Sequence, residues 1–136
     1  MNYAVRQIKE ADFLEYYDCL GRVAREKKYL AFQDAPPIEG AISWVESHIK
    51  QNHPLHVVQF RNRVVGWCDV TPSPREVFAH CGELGMGLVK EFRGRGLGKL
   101  LIDSVLEHSI SIGVERIELD VRTDNVNAIS LYEKTG

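Results

Sequence analysis

In six consecutive positions, Arg93-Gly94-Arg95-Gly96-Leu97-Gly98, the chain sets three glycines and two arginines directly ahead of a helical apolar pattern. That arrangement suits an anion. The first amides of a helix have no acceptor within it and point outward at the positive end of its dipole. Glycines let the backbone come close to a phosphate, and Arg93 and Arg95 add positive charge. The chemistry implied is capture of a pyrophosphate. The segment is not a P-loop: Arg93 occupies the place of that motif's first glycine, and Leu100 replaces the Ser or Thr required after Lys99. A dinucleotide fingerprint also fails, because Gly94, Gly96 and Gly98 have the wrong spacing and fall late in the chain. Taken by itself the segment also reads as a glycine turn that holds no ligand.

The other reactive side chains form no comparable set. His80-Cys81 invites a metal, but no second ligand pair has suitable spacing, so no metal is expected. His48, His53 and His56 make no recognisable ligand set, and His108, beside an apolar stripe, reads as packing, as do Met86 and Trp67. Cys19, Cys68 and Cys81 are an odd number without paired spacing, which fits reduced thiols rather than a disulfide framework.

The elements that must position the turn follow from periodicity. Residues 3–8 read as a first strand. Residues 11–25 read as a helix carrying Phe13, Leu14, Tyr17 and Leu20. Pro36 and Pro37 mark a loop over residues 27–40. A second helix spans residues 38–51, with Ile42, Val45 and Ile49 at helical spacing. Two strands, residues 55–60 and 64–70, flank a hairpin turn at Arg61-Asn62-Arg63. A long strand covers residues 79–90 and carries Gly82, Gly85 and Gly87, which suggest a bulge or the close approach of a ligand. The helix after the turn ends near Gly113, with Leu97, Leu101, Val105 and Ile112 on one face and Lys99, Asp103 and Glu107 on the other. A strand over residues 115–121 and a last helix capped by Asn125 complete the order β-α-α-β-β-β-α-β-α. This is an α+β domain: a mixed, mostly antiparallel sheet flanked by helices, one unit over residues 1–136.

Composition agrees with a single globular domain. The chain has 136 residues, 44% hydrophobic and 26% charged, and a net charge of −2. That charge argues against nucleic-acid binding through bulk positive potential. The polar N-terminus and the lack of a long apolar run argue against a signal peptide and a membrane span, so a cytoplasmic setting is expected.

Arg93-x-x-Gly96-x-Gly98 resembles the Arg/Gln-x-x-Gly-x-Gly/Ala motif of the GCN5-related N-acetyltransferase (GNAT) superfamily. Its context is similar too. Glu83-Leu84-Gly85-Met86-Gly87-Leu88-Val89 looks like that family's fourth strand, and Asn125, Ala128, Ile129, Leu131, Tyr132, Glu133 and Gly136 resemble its last helix. Within the superfamily the chain looks most like the small acetyltransferases similar to phosphinothricin acetyltransferase. Val65-Gly66-Trp67-Cys68-Asp69 and Pro36-Pro37-Ile38-Glu39 fit that likeness.

The resemblance implies acetyl-CoA as cosubstrate, a primary amine of a small molecule or amino acid as acceptor, and direct transfer in a ternary complex. It assigns the pyrophosphate to Arg93, Gly94, Arg95, Gly96, Leu97 and Gly98, and the pantetheine arm to the backbone of Met86, Gly87 and Leu88 and to Asn125. It matches Tyr132 to the proton donor for the leaving thiolate. An ammonium with a pKa of ~10 must lose a proton before it attacks a thioester. For the group that takes this proton the resemblance offers Glu83, with Asp120 beside it and Glu26 from the acceptor side. A non-catalytic acyl-CoA-binding module and a protein N-terminal or lysine acetyltransferase are the alternatives. The family continues past Gly136 with two more strands. Their absence here leads to the expectation of self-association through the open edge of the strand at residues 115–121.

Overall fold

The computed structural model describes residues 3–25, 37–72, 81–114 and 116–119. The strands are β1 (Tyr3–Gln7), β2 (Leu55–Phe60), β3 (Arg63–Pro72), β4 (Cys81–Leu88) and β5 (Arg116–Leu119), and the helices are α1 (Phe13–Ala24), α2 (Ile38–Lys50) and α3 (Leu97–Ser111). One sheet holds all five strands in the order β1-β2-β3-β4-β5. Neighbours pair antiparallel except β4 and β5, which are parallel. The last predicted helix, with Asn125 and Tyr132, lies outside the described residues, as do Asp120 and Glu26. No helix among the described residues is long and apolar enough to cross a membrane.

Local chemistry explains the central hairpin. Arg61 and Asn62 both have positive φ, 50° and 64°, as in a two-residue turn whose twist matches its strands. Arg63 is already in β3, paired with Phe60. β3 is buried from Val64 to Val70 because helices cover both faces. On one face Trp67 joins Tyr16, Cys19, Leu20 and Val23 of α1 and Val45 of α2. On the other, Cys68 and Val70 join Leu97, Leu101, Ile102 and Val105 of α3.

Two expectations need correction. Leu14 is 72% exposed, and α1 buries Tyr16, Cys19, Leu20 and Val23 instead. The helix meets the sheet on a stripe rotated from the one its most apolar residues suggested. β4 carries no bulge: its register with β3 is continuous from Gly82 to Leu88. The sheet's irregularity lies between β2 and β3, where Val58 faces Gly66 while Gln59 faces Val64, leaving Val65 as the extra residue.

The glycines of β4 are also accounted for by β3 neighbours within the protein. A Cβ on Gly87 would stand 2.5 Å from the Trp67 ring, and one on Gly82 would stand 2.6 Å from Val70. Gly85 faces the Asp69 carboxylate, whose oxygens lie 3.2 and 3.4 Å from where its Cβ would be.

The histidines that looked unrelated in sequence form a chain. His56 on β2 bonds Ser104 through Nδ1 and meets His108 Nδ1 through Nε2 at 2.9 Å. His108 Nε2 lies 3.0 Å from the Asn52 carbonyl. A single direction of donation satisfies every atom. Ser104 donates to His56, His56 to His108, and His108 to Asn52, with both imidazoles neutral. The chain ties α3 to the turn between α2 and β2.

Candidate active site

The site is assembled around β4. Its first half, residues 81–84, pairs with β5, ending at Leu84 opposite Leu119. Its second half, residues 85–88, pairs with β3 alone among the described residues. The chain then makes a short 3-10 turn at Lys90–Phe92 and enters the glycine segment. Residues 85–88 and the glycine turn therefore adjoin at the C-terminal end of one strand.

The turn has the conformation its glycines imply. Gly94 and Gly96 adopt φ of 77° and 78°, and a Cβ at either would meet nothing within 4 Å. Both face open space, so backbone shape rather than crowding selects glycine there. Gly96 is the N-cap of α3 and has no side chain to bond the first-turn amides. The N–H groups of Leu97, Gly98 and Lys99 consequently have no acceptor inside the helix. The first turn holds no acidic residue that would compete with an anion.

Around it, Arg93 donates from Nε to the Leu88 carbonyl at 3.0 Å, fastening the turn to the end of β4. Arg95 lies over the Phe92 ring and bonds the Tyr3 hydroxyl. Leu97 is buried in the α3-side core. Gly98 brings the helix against β4, its Cβ position 3.4 Å from Met86 Cε. Met86 and Leu88 pack toward α3, while Gly87 lies under Trp67. All the described residues expected to hold a pyrophosphate or an extended arm thus lie on the C-terminal half of β4 and this turn. The turn also passes a test of fit for acetyl-CoA: helix-start amides, two backbone positions open to solvent, and arginine and lysine nearby.

At the Gly85 end of this half-strand is a cavity of about 230 Å³ lined by Asp69, Thr71, Glu83, Leu84 and Gly85. Glu83 is exposed on β4, opposite Thr71 of β3 and in register with Glu118 of β5. Asp69 is different in kind. It is 9% exposed, and its carboxyl is pushed up to about 8. Burial is the main cause; a hydrogen bond with the Trp67 side chain works against it, and the nearby charge of Glu83 adds to it. Behind it stands an aromatic wall: Tyr16 is edge-on to Trp67 at 5.9 Å and stacked on Trp44 at 6.4 Å. Thr71 is held from α2 by His48 Nε2 at 3.1 Å. Asp69 was not singled out from the sequence. Its alternation with Trp67 and Thr71 on β3 was visible, but its burial beside Gly85 depends on strand register.

The profile of the Acetyltransferase (GNAT) family matches residues 8–136. The chain belongs to that family. A Bacillus subtilis protein named as the N-acetyltransferase YdgE is 32% identical over 72 residues, which are 53% of this chain and 46% of that protein. The L-ornithine N5-acetyltransferase NATA1 of Arabidopsis thaliana is 44% identical over 45 residues, 33% of this chain and 20% of that protein. The chain thus spans less than half the length of these curated relatives. Among solved structures, the acetyltransferase yncA of Salmonella typhimurium, determined with acetyl-CoA, superposes with a TM-score of 0.90 at 16% identity over 100% of this chain and 79% of that one. This likeness establishes the GNAT fold, the mixed sheet with helices on both faces that the sequence led us to expect.

Proposed function

We propose that the protein transfers the acetyl group of acetyl-CoA to a primary amine of a small molecule or amino acid, directly, in a ternary complex. The observation that carries this reading is the junction of the C-terminal half of β4, residues 85–88, with a glycine turn that starts α3. The turn offers fixed donors to a pyrophosphate, and in this reading the backbone of residues 85–88 serves an extended amide-containing arm. Family membership supports the same reading, as does the name of the ornithine-acetylating relative for an amine acceptor.

In this reading the amides of the 93–98 turn bind the pyrophosphate, helped by Arg93 and Arg95. The backbone of Met86, Gly87 and Leu88 orients the arm, together with Asn125. A backbone N–H near Leu88 steadies the oxyanion. Tyr132 gives a proton to the departing thiolate. A carboxylate takes the proton of the acceptor ammonium. When bound, acetyl-CoA supplies the activated acetyl group.

The test is calorimetry with acetyl-CoA, followed by free-thiol release with a panel of amines. Micromolar binding and turnover of at least one small amine are expected. Binding without turnover of any amine, peptides included, points to an acyl-CoA-binding module. Acetylation of peptides only points to a protein acetyltransferase. Absence of acetyl-CoA binding overturns the proposal.

A further inference from the structure

Asp69 does no evident structural work that a neutral residue could not do. It is buried, lines the cavity beside Glu83, and lies directly across from Gly85. Gly85 has no side chain, which leaves the carboxylate oxygens close to the strand's backbone. An arm laid along residues 85–88, as the acetyltransferase reading has it, ends near Asp69. Glu83, the carboxylate favoured from sequence, stands nearer the cavity's mouth and is exposed to water.

We propose that Asp69 is the group that takes the proton from the acceptor's ammonium, with Glu83 at the cavity mouth passing that proton to solvent. The proposal rests on the acetyltransferase reading and assigns a residue within it. In the step, an N–H bond of the ammonium breaks and an O–H bond forms on Asp69, leaving a neutral amine. The amine's lone pair forms the new C–N bond to the thioester carbon, and the C–S bond then breaks with its electron pair on sulfur. A second N–H proton ends on that sulfur as the free thiol, and Asp69 loses its proton to water. The balance is one ammonium and one thioester in, and one amide, one thiol and one proton out.

The surroundings fit a base rather than a salt-bridged anchor. Neighbouring elements bring Trp67, Cys68 and Thr71 from β3, Glu83 from β4, Tyr16 from α1 and, through Thr71, His48 from α2. Among the described residues, none of these neighbours is a permanent cation. The buried carboxyl titrates near pH 8, close to the range in which a base must cycle between its two forms.

The experiment compares wild type, Asp69→Asn and Glu83→Gln in three measurements. These are acetyl-CoA affinity, the pH profile of kcat/KM with the best amine of the panel, and the ¹³C carboxyl titration of the protein alone. Asp69→Asn should bind acetyl-CoA within about twofold of wild type. It should lose ~10²–10⁴-fold in kcat/KM near neutral pH and lack the acid limb. Its rate should approach wild type as pH nears the amine's own pKa. Glu83→Gln should keep the limb but move it to lower pH, because a neighbouring negative charge is gone. The carboxyl resonance titrating near pH 8 should vanish in Asp69→Asn and move down in Glu83→Gln. An acid limb that survives in Asp69→Asn, a limb abolished by Glu83→Gln, or a carboxyl titrating at the usual carboxylate value overturns the proposal while leaving the acetyltransferase reading intact. Wild type that binds no acetyl-CoA overturns that reading and the proposal with it.

Discussion

Asp69→Asn should stabilise the protein, and the gain should grow with pH. A carboxyl held near 8 in the folded chain and near 3.9 when unfolded binds its proton more tightly in the fold. Such a group lends its full stability below about pH 4 and loses it as pH rises toward 8. Each pKa unit is worth about 1.4 kcal/mol, so ionising Asp69 costs up to about 4 kcal/mol at pH 7. Relaxation and water entry reduce this to about 2 kcal/mol. Asn has nearly the same shape, keeps an oxygen to accept from Trp67, and has no charge to desolvate. For a chain of this length about 2 kcal/mol corresponds to about 7 °C in Tm. The assay is thermal unfolding of both proteins every half unit from pH 4 to pH 9. The difference should be near zero at pH 4, rise through pH 5–8 and level off above. A difference that stays flat across that range would refute the burial argument, whatever the activity of either protein. A gain in stability with loss of turnover is the expected trade where a strained group serves chemistry.

Gly96→Asp should lower acetyl-CoA affinity at least tenfold by calorimetry, since it sets a negative charge at the helix start. Gly96→Asn, with similar backbone strain at φ 78° but no charge, should lose less; equal losses would point to backbone shape alone. His56 is pushed down to about 4 by burial and by His108, so its contribution is present above about pH 6.5 and falls as pH drops toward 4. The full shift is worth at most about 3 kcal/mol, and about half that with solvent screening. His48 and His53, both lowered by burial, act in the same direction. The diagnostic is therefore a shallower fall of the urea midpoint between pH 7 and 4.5 in His56→Gln than in wild type. Gly87→Ala puts a methyl 2.5 Å from the Trp67 ring and should cost about 1–3 kcal/mol in urea unfolding, with a change in tryptophan emission. No loss would mean that Trp67 can leave the strand freely.

What the sequence determined by itself was local. The glycine turn, the start of α3, the Arg61-Asn62 hairpin and the alternation along β3 depend on residues a few positions apart, and each was readable without the rest of the chain. The family motif added the site's likeness to an acetyl-CoA cradle. Faces and registers were less legible. Leu14 stood in the predicted stripe of α1, yet the sheet takes the neighbouring one, because packing answers to a surface and not to hydrophobicity alone. Only tertiary structure could bring Asp69 against Gly85, join His56 to Ser104 and His108, or make the glycines of β4 the complement of Trp67 and Val70. Those residues lie 12 to 52 positions apart, and a shift of one residue in strand register would turn each β3 side chain to the opposite face. Asp69 in particular is an unremarkable acidic residue in sequence. Its raised carboxyl comes from burial and from Glu83, neither of which exists until β3 and β4 are paired.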